Sequence, residues 1–222
     1  MNQTIGILLQ GKISPWTRDI INEYQHSFPN AEILVSTWDD ENTTNLDCDV
    51  IKSSPPVLPE PHKSTVNFQI VGCKAGLKNL KTDLIMKCRT DQFIHNSKIF
   101  QIFKKSCSRK QIMVPDLGTN KTIKYRTSDF CQISTRDILL DFWSHIPLYD
   151  GKHYEESATY LTKNYILNVK KDFEPWEITL RKYFSVKSFH NDFKIEWEKL
   201  NSFDEYRNVY DISFPNSVSV DF

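Results

Sequence analysis

Short apolar runs alternate with amphipathic stretches over the first half of the chain. Ile5-Gly6-Ile7-Leu8-Leu9-Gln10-Gly11 is a continuous apolar run closed by a glycine, the pattern of a strand buried on both faces. Ser14-Pro15 follows, a capping side chain ahead of a proline at the first helical position. Trp16, Ile20 and Tyr24 then recur every four residues, which predicts an amphipathic helix ending at Phe28-Pro29-Asn30. Residues 31–38 predict a second strand, so the opening is a βαβ unit with parallel strands. Residues 49–52 predict a short third strand. Residues 69–80 predict a helix carrying Ile70, Cys73 and Leu77 on one face, and residues 83–89 a buried strand. Ser97 reads as the cap of a helix through Lys105, and residues 111–115 as a further strand.

The second half is patterned less clearly. Residues 122–126 alternate and predict a strand, and residues 129–133 an irregular or short strand segment. Ser134-Thr135 reads as the cap of a helix to about His145, and helices are predicted over 156–167 and 175–184. The tail from Ser185 is aromatic and charged, with weaker periodicity. Residues 53–62 carry Pro55, Pro56, Pro59 and Pro61, so they predict an extended loop, a semi-rigid lip beside the strand ends. Alternating strands and helices point to an α/β fold. One domain is expected over residues 1–222, with an α/β core at 1–145 and a helical C-terminal part at 146–222.

Composition narrows the function. Lys and Arg number 28, as do Asp and Glu, so the chain lacks the net basic field of a general nucleic-acid binder. The five cysteines occur singly, without a Cys-x-x-Cys pair, which argues against a zinc site and for free thiols in a cytoplasmic setting. No apolar run approaches a membrane span, and the first residues lack the pattern of a secretory signal. The six histidines show no metal-ligand spacing. There is no Gly-x-Gly-x-x-Gly, no Walker loop and no Gly-x-Ser-x-Gly elbow, which counts against dinucleotide dehydrogenases, P-loop ATPases and α/β-hydrolases.

An α/β sheet that binds nucleotides without a glycine loop is found chiefly in sugar-nucleotide glycosyltransferases of the GT-A type. These hold a divalent metal on the donor diphosphate with an Asp-x-Asp motif at a strand end, because the leaving group's charge needs a cation or fixed donors. Asp91 stands at such a place, after Lys87-Cys88-Arg89-Thr90; the same position also suits a residue that caps a turn or helix.

Gln10-Gly11, Phe28-Pro29-Asn30-Ala31-Glu32-Ile33, Ser36-Thr37-Trp38, Cys48-Asp49, Asn67-Phe68-Gln69-Ile70, Gly76-Leu77, Lys87 to Asp91 and Ser128-Asp129-Phe130 occur in order along residues 5–145. With these segments the chain resembles the WavE-type lipopolysaccharide-synthesis family of bacterial glycosyltransferases. The resemblance implies a GT-A-like, Rossmann-like open sheet. It also implies sugar transfer from a nucleotide-sugar donor to a lipopolysaccharide or capsule glycan, or a glycolipid. Peripheral contact with the inner face of the membrane would go with such an acceptor.

Under this reading the donor would meet Gln10, Gly11, Thr37, Trp38, Asn67, Gln69, Arg89 and Asp91. Asp91 would also hold Mn²⁺ or Mg²⁺. Asp129 and Glu156 are candidates for the base that deprotonates the acceptor. One departure stands out: Arg89 occupies the place of the first carboxylate of Asp-x-Asp, where its planar fork suits a phosphate or a salt bridge to a neighbouring carboxylate. Two other classes stay open, a nucleotidyltransferase of sugar-phosphate metabolism and a noncatalytic glycan-binding or scaffold domain.

Overall fold

Alternate side chains along the buried strands enter two separate cores. The computed structural model, which describes residues 3–197, is built around them. Ile7 and Leu9 of β1 (Ile5–Gln10) pack with Ile20, Ile21 and Tyr24 of α1 (Thr17–Ser27). Leu8 points the other way, to Ile70, Cys73 and Leu77 of α2 (Val66–Asn79). The same division runs through β2 (Ala31–Trp38) and β4 (Leu84–Arg89): Ile33, Val35, Leu84 and Met86 face the first core, Leu34 and Ile85 the second. Each fully buried Leu or Ile contributes roughly 1.5–3 kcal/mol, so a reversal of faces is strongly opposed. α2 approaches β1 closely because it carries Gly72 and Gly76. A Cβ on Gly76 would lie 2.3 Å from Leu8 Cδ1.

β3 (Asp49–Ser53) pairs in parallel with β2, and β1 pairs in parallel with both β2 and β4. After β4 come β5 (Gln92–Ile94), α3 (Ile99–Ser106), β6 (Ile112–Pro115), β7 (Gln132–Thr135) and α4 (Arg136–His145). α5 (Ser157–Lys163) runs into a π-helical turn (Asn164–Val169), followed by α6 (Trp176–Tyr183) and β8 (Phe184–Lys187). A second π-helical turn (Phe189–Phe193) leads to β9 (Ile195–Trp197). The main sheet has seven strands in the order β3-β2-β1-β4-β7-β6-β8. Its first four strands are parallel; β7 runs antiparallel to β4 and β6, and β8 is parallel to β6. β5 and β9 form a separate antiparallel pair. Among the described residues no helix is long and apolar enough to cross a membrane.

Several local expectations are corrected. Residues 122–126 do not form a strand. The side chain of Asn120 accepts hydrogen bonds from the backbone N–H of Thr122 and Ile123, and Tyr125 adopts a left-handed φ of 61°, so the alternation is wound into turns. α1 starts at Thr17, because Ser14 first closes a turn onto the N–H groups of Trp16 and Thr17. α2 begins at Val66, three residues ahead of the predicted start. Asn96, not Ser97, accepts the N–H of Lys98 ahead of α3. Ser134 donates to the Gln111 carbonyl rather than capping α4. The C-terminal part is not wholly helical: β8 joins the main sheet, with buried Phe184 and Val186 alternating with half-buried Ser185 and Lys187, a period of two confined to four residues.

Candidate active site

β1 lies between β2 and β4, so the connections that leave these strands run to opposite sides. In open α/β sheets that reversal opens a crevice beyond the carboxyl ends of the strands. Here it holds a cavity of about 480 Å³, within the usual range for a small-molecule site. Gln10 and Gly11 end β1, Trp38 ends β2, and Arg89, Thr90 and Asp91 end β4; all six line it. Lys12, Phe68 and Gln69 line it too, with Leu58 from the proline-rich loop. That loop is tied at its far end, where His62 N–H donates to the Gly151 carbonyl at 3.2 Å.

The floor is held by short-range fits. Gly11 has a φ of 143°, and a Cβ there would stand 2.8 Å from the Thr90 hydroxyl. The Thr90 hydroxyl donates to the Lys12 carbonyl, and the Thr90 carbonyl accepts from Ser14 and Thr17. The ends of β1 and β4 are thereby fastened together. Gln10 Nε2 donates to the Phe68 carbonyl at 3.3 Å, and Trp38 meets the Phe68 ring edge-on at 5.1 Å between centroids. Beneath Gln10, burial pushes the Cys73 thiol up to about 12.

Arg89 donates to both oxygens of Asp91, Nε to Oδ1 and Nη2 to Oδ2, each at 2.7 Å. Its guanidinium carbon lies 5.4 Å from the ring centroid of Trp197 on β9.

A second cavity of about 270 Å³ adjoins the first across a wall of Thr65, Gln69 and Arg89. Asp129 and Glu156 line it. Gln69 Nε2 donates to Asp129 Oδ2 at 2.7 Å, and Arg126 pairs with Glu156 at 2.9 Å. Ser128 is buried, lines the same cavity, and its hydroxyl has no hydrogen-bond partner among the described residues. Lys87, fully buried on β4, donates to the Asp129 backbone carbonyl at 2.6 Å, with its ammonium 5.0 Å from the Trp143 ring centroid. A buried cation thus sits under the loop that presents Asp129.

Eight of the ten residues expected from the sequence line one of the two cavities: Gln10, Gly11, Trp38, Gln69, Arg89, Asp91, Asp129 and Glu156. Asn67 and Thr37 line neither. Asn67 is buried and its amide exchanges hydrogen bonds with the backbone N–H and C=O of Tyr149, which ties α2 to the loop before α5. Thr37 is fully buried at the end of β2, its hydroxyl without a hydrogen-bond partner among the described residues. Lys87, Ser128, Arg126 and Trp197 were not foreseen. Lys87 did carry a signal, as the only charge inside the run Leu84-Ile85-Met86-Lys87-Cys88. Trp197 carried none, since its tail lacks periodicity.

The expected divalent metal does not fit the donor set. Both oxygens of Asp91 accept from Arg89, and among the described residues no other carboxylate lines the larger cavity. Among the described residues no group of three or more His, Cys, Asp or Glu side chains is placed to hold an ion.

Solved structures resemble the chain at low sequence identity. One is 4-diphosphocytidyl-2C-methyl-D-erythritol synthase from Anaerococcus prevotii, with a TM-score of 0.50 and 9% identity over 85% of this chain and 91% of that one. A nucleotidyl transferase from Methanothermobacter thermautotroptrophicus gives 0.48 and 12% over 76% and 85%. A glycosyltransferase involved in glycosylation of the major capsid of PBCV-1 gives 0.42 and 12% over 85% of each chain. The first of these likenesses shows a shared fold, an open α/β sheet. No curated protein matches the chain in sequence. The model of the family described as WavE lipopolysaccharide synthesis matches residues 10–206, which spans both cavities, and the chain belongs to that family.

Proposed function

We propose that the chain moves a glycosyl group from a nucleotide-sugar donor to a hydroxyl of a glycan or glycolipid acceptor in lipopolysaccharide assembly. One observation carries this reading: two cavities meet at a common wall of Thr65, Gln69 and Arg89, the larger at the strand switch and the smaller lined by a carboxylate on a fixed loop. The nucleotide occupies the larger cavity, with its base against Trp38 and Phe68 and its phosphates toward Arg89. The acceptor enters the smaller one. Asp129 takes the proton of the acceptor hydroxyl as its oxygen bonds the anomeric carbon. The anomeric C–O bond to phosphate breaks, and its electron pair leaves with the nucleoside diphosphate. Gln69 fixes the rotamer of Asp129 through the 2.7 Å hydrogen bond. The donor sugar bridges the two cavities beside Arg89. On this reading the reaction runs in the cytoplasm, at the inner face of the membrane where a lipid-linked acceptor is found.

A second reading, nucleotidyl transfer, draws support from Lys12, which follows Gln10-Gly11 and lines the larger cavity. It would use the same crevice with a nucleoside triphosphate and a sugar phosphate.

Thermal unfolding tests the first reading. A ligand bound only by the folded chain stabilises it, by about 2.7 kcal/mol at a hundred times its Kd. Within a panel of UDP-, GDP-, ADP-, dTDP- and CMP-sugars, at least one is expected to raise Tm, and Trp38→Ala to abolish the rise. A panel in which triphosphates stabilise and no sugar nucleotide does would favour the second reading.

A further inference from the structure

Resting on the glycosyl-transfer reading, we propose that the Arg89–Asp91 pair replaces the metal of that chemistry. Arg89 neutralises the leaving diphosphate, and Asp91 is a positioning residue that aims it. Three observations support this. First, both Asp91 oxygens lie 2.7 Å from Arg89 nitrogens in the fork-to-fork geometry that fixes a guanidinium plane. Second, that plane is backed by the Trp197 ring, which limits its movement on another side. Third, among the described residues the larger cavity carries two cations, Lys12 and Arg89, against one carboxylate, Asp91. Such a balance suits an anionic diphosphate bound directly.

Position adds a functional reason. Arg89 belongs to the wall between the cavities, so it flanks the bond that breaks between the transferred sugar and its phosphate. Positive charge held there acts on the electron pair that the phosphate oxygen gains, where a preorganised donor is most effective.

Calorimetric titration of the full chain with the nucleoside diphosphate of the preferred donor, in EDTA and in Mn²⁺, tests this. The expected Kd in EDTA is within about twofold of that in Mn²⁺. Arg89→Ala should weaken diphosphate binding by about 10- to 100-fold, the loss expected for charge-assisted hydrogen bonds. Binding of the matching nucleoside should change little, and added guanidinium ion should restore part of the diphosphate affinity. Asp91→Asn should raise the diphosphate Kd less than Arg89→Ala does, and Asp91→Glu should recover part of that loss. A structural role alone would not give this selectivity for diphosphate over nucleoside. Binding that disappears in EDTA and returns with Mn²⁺ would overturn the proposal and leave the glycosyl-transfer reading in place. Absence of binding by every nucleoside diphosphate in both buffers would overturn both.

Discussion

The two halves of the sheet build their parts of the site in different ways. On one side β3, β2, β1 and β4 run parallel, and the larger cavity is lined by what directly follows three strand ends: Gln10-Gly11, Trp38 and Arg89-Thr90-Asp91. On the other side β7 is antiparallel to both its neighbours. The smaller cavity is lined there by loop residues 126 and 128–130, by the start of α5, and by Trp197 from beyond the main sheet. The first region is positioned by its own hydrophobic pattern. The second depends on long-range contacts, hydrogen bonds from Gln69 and Lys87 to Asp129 and an ion pair of Arg126 with Glu156. A strand end can therefore advertise a site in the sequence, whereas a loop carries one only because distant residues hold it.

The largest expected effect lies in the loop-built region. Asp129→Asn keeps the size of the side chain and an oxygen for Gln69 but removes the base. Transfer should fall by about 10²-fold or more in kcat, with donor affinity and Tm close to unchanged. Near-native turnover would move the base elsewhere, with Glu156 the first alternative.

Next is the seam between the regions. Lys87→Met fills the same buried space and leaves the Asp129 carbonyl without its described donor. The cost of an orphaned buried group is about 1–3 kcal/mol, read as a lower Tm or denaturant midpoint. If kcat falls while stability holds, Lys87 serves to place Asp129 rather than to support the fold.

In the strand-built region the test is Gly72→Ala. The new Cβ would lie 2.8 Å from Gln10 Nε2, and the end of that side chain must move. Displacing a flexible side chain belongs at the low end of the over-packing range, about 1 kcal/mol. On the proposed reading the donor KM should rise several-fold with kcat little changed, since Gln10 lines the larger cavity and not the smaller one. An equal fall in kcat would show that the two cavities are less separable than described.

A smaller effect belongs to the C-terminal part. The hydrogen bond from Lys182 holds the Asp172 carboxyl down at about 2, helped by the Glu174 N–H and the Tyr183 hydroxyl. The unfolded chain titrates this group near about 3.9. Its folded value is the lower one, so the stability it contributes is fully present above about pH 4 and is lost as pH falls toward about 2. Asp172→Asn should therefore flatten the acid limb of a Tm–pH profile and leave the neutral region parallel to wild type.

How far the sequence disclosed all this follows from the same contrast. Strands β1 to β4 and β6, and helices α1, α2 and α4, were legible because their apolar positions repeat with the period of the element that forms. The crevice was legible as well, since Gln10, Gly11, Trp38, Arg89 and Asp91 follow strand ends. What local pattern concealed was partnership. Asn67 looked like a helix opening aimed at a ligand and instead grips Tyr149, 82 residues on. Asp91 looked like half of a metal motif, and the Arg two positions earlier takes both its oxygens. Residues 122–126 looked like a strand because alternation does not reveal that Asn120 will capture two of their N–H groups. Trp197 reaches the site through the pairing of β9 with β5, a contact between segments about a hundred residues apart, and packs there against Phe130.

The most direct test of the central claim is the identity of the leaving group. The full chain is incubated with the sugar nucleotide that stabilises it and a lipopolysaccharide-type acceptor, and the nucleotide products are separated and quantified. For an NDP-sugar, the account predicts one nucleoside diphosphate released for each glycoside formed, with the release lost in Asp129→Asn. Pyrophosphate released from a nucleoside triphosphate and sugar phosphate, with no glycoside formed from any sugar nucleotide, would contradict it.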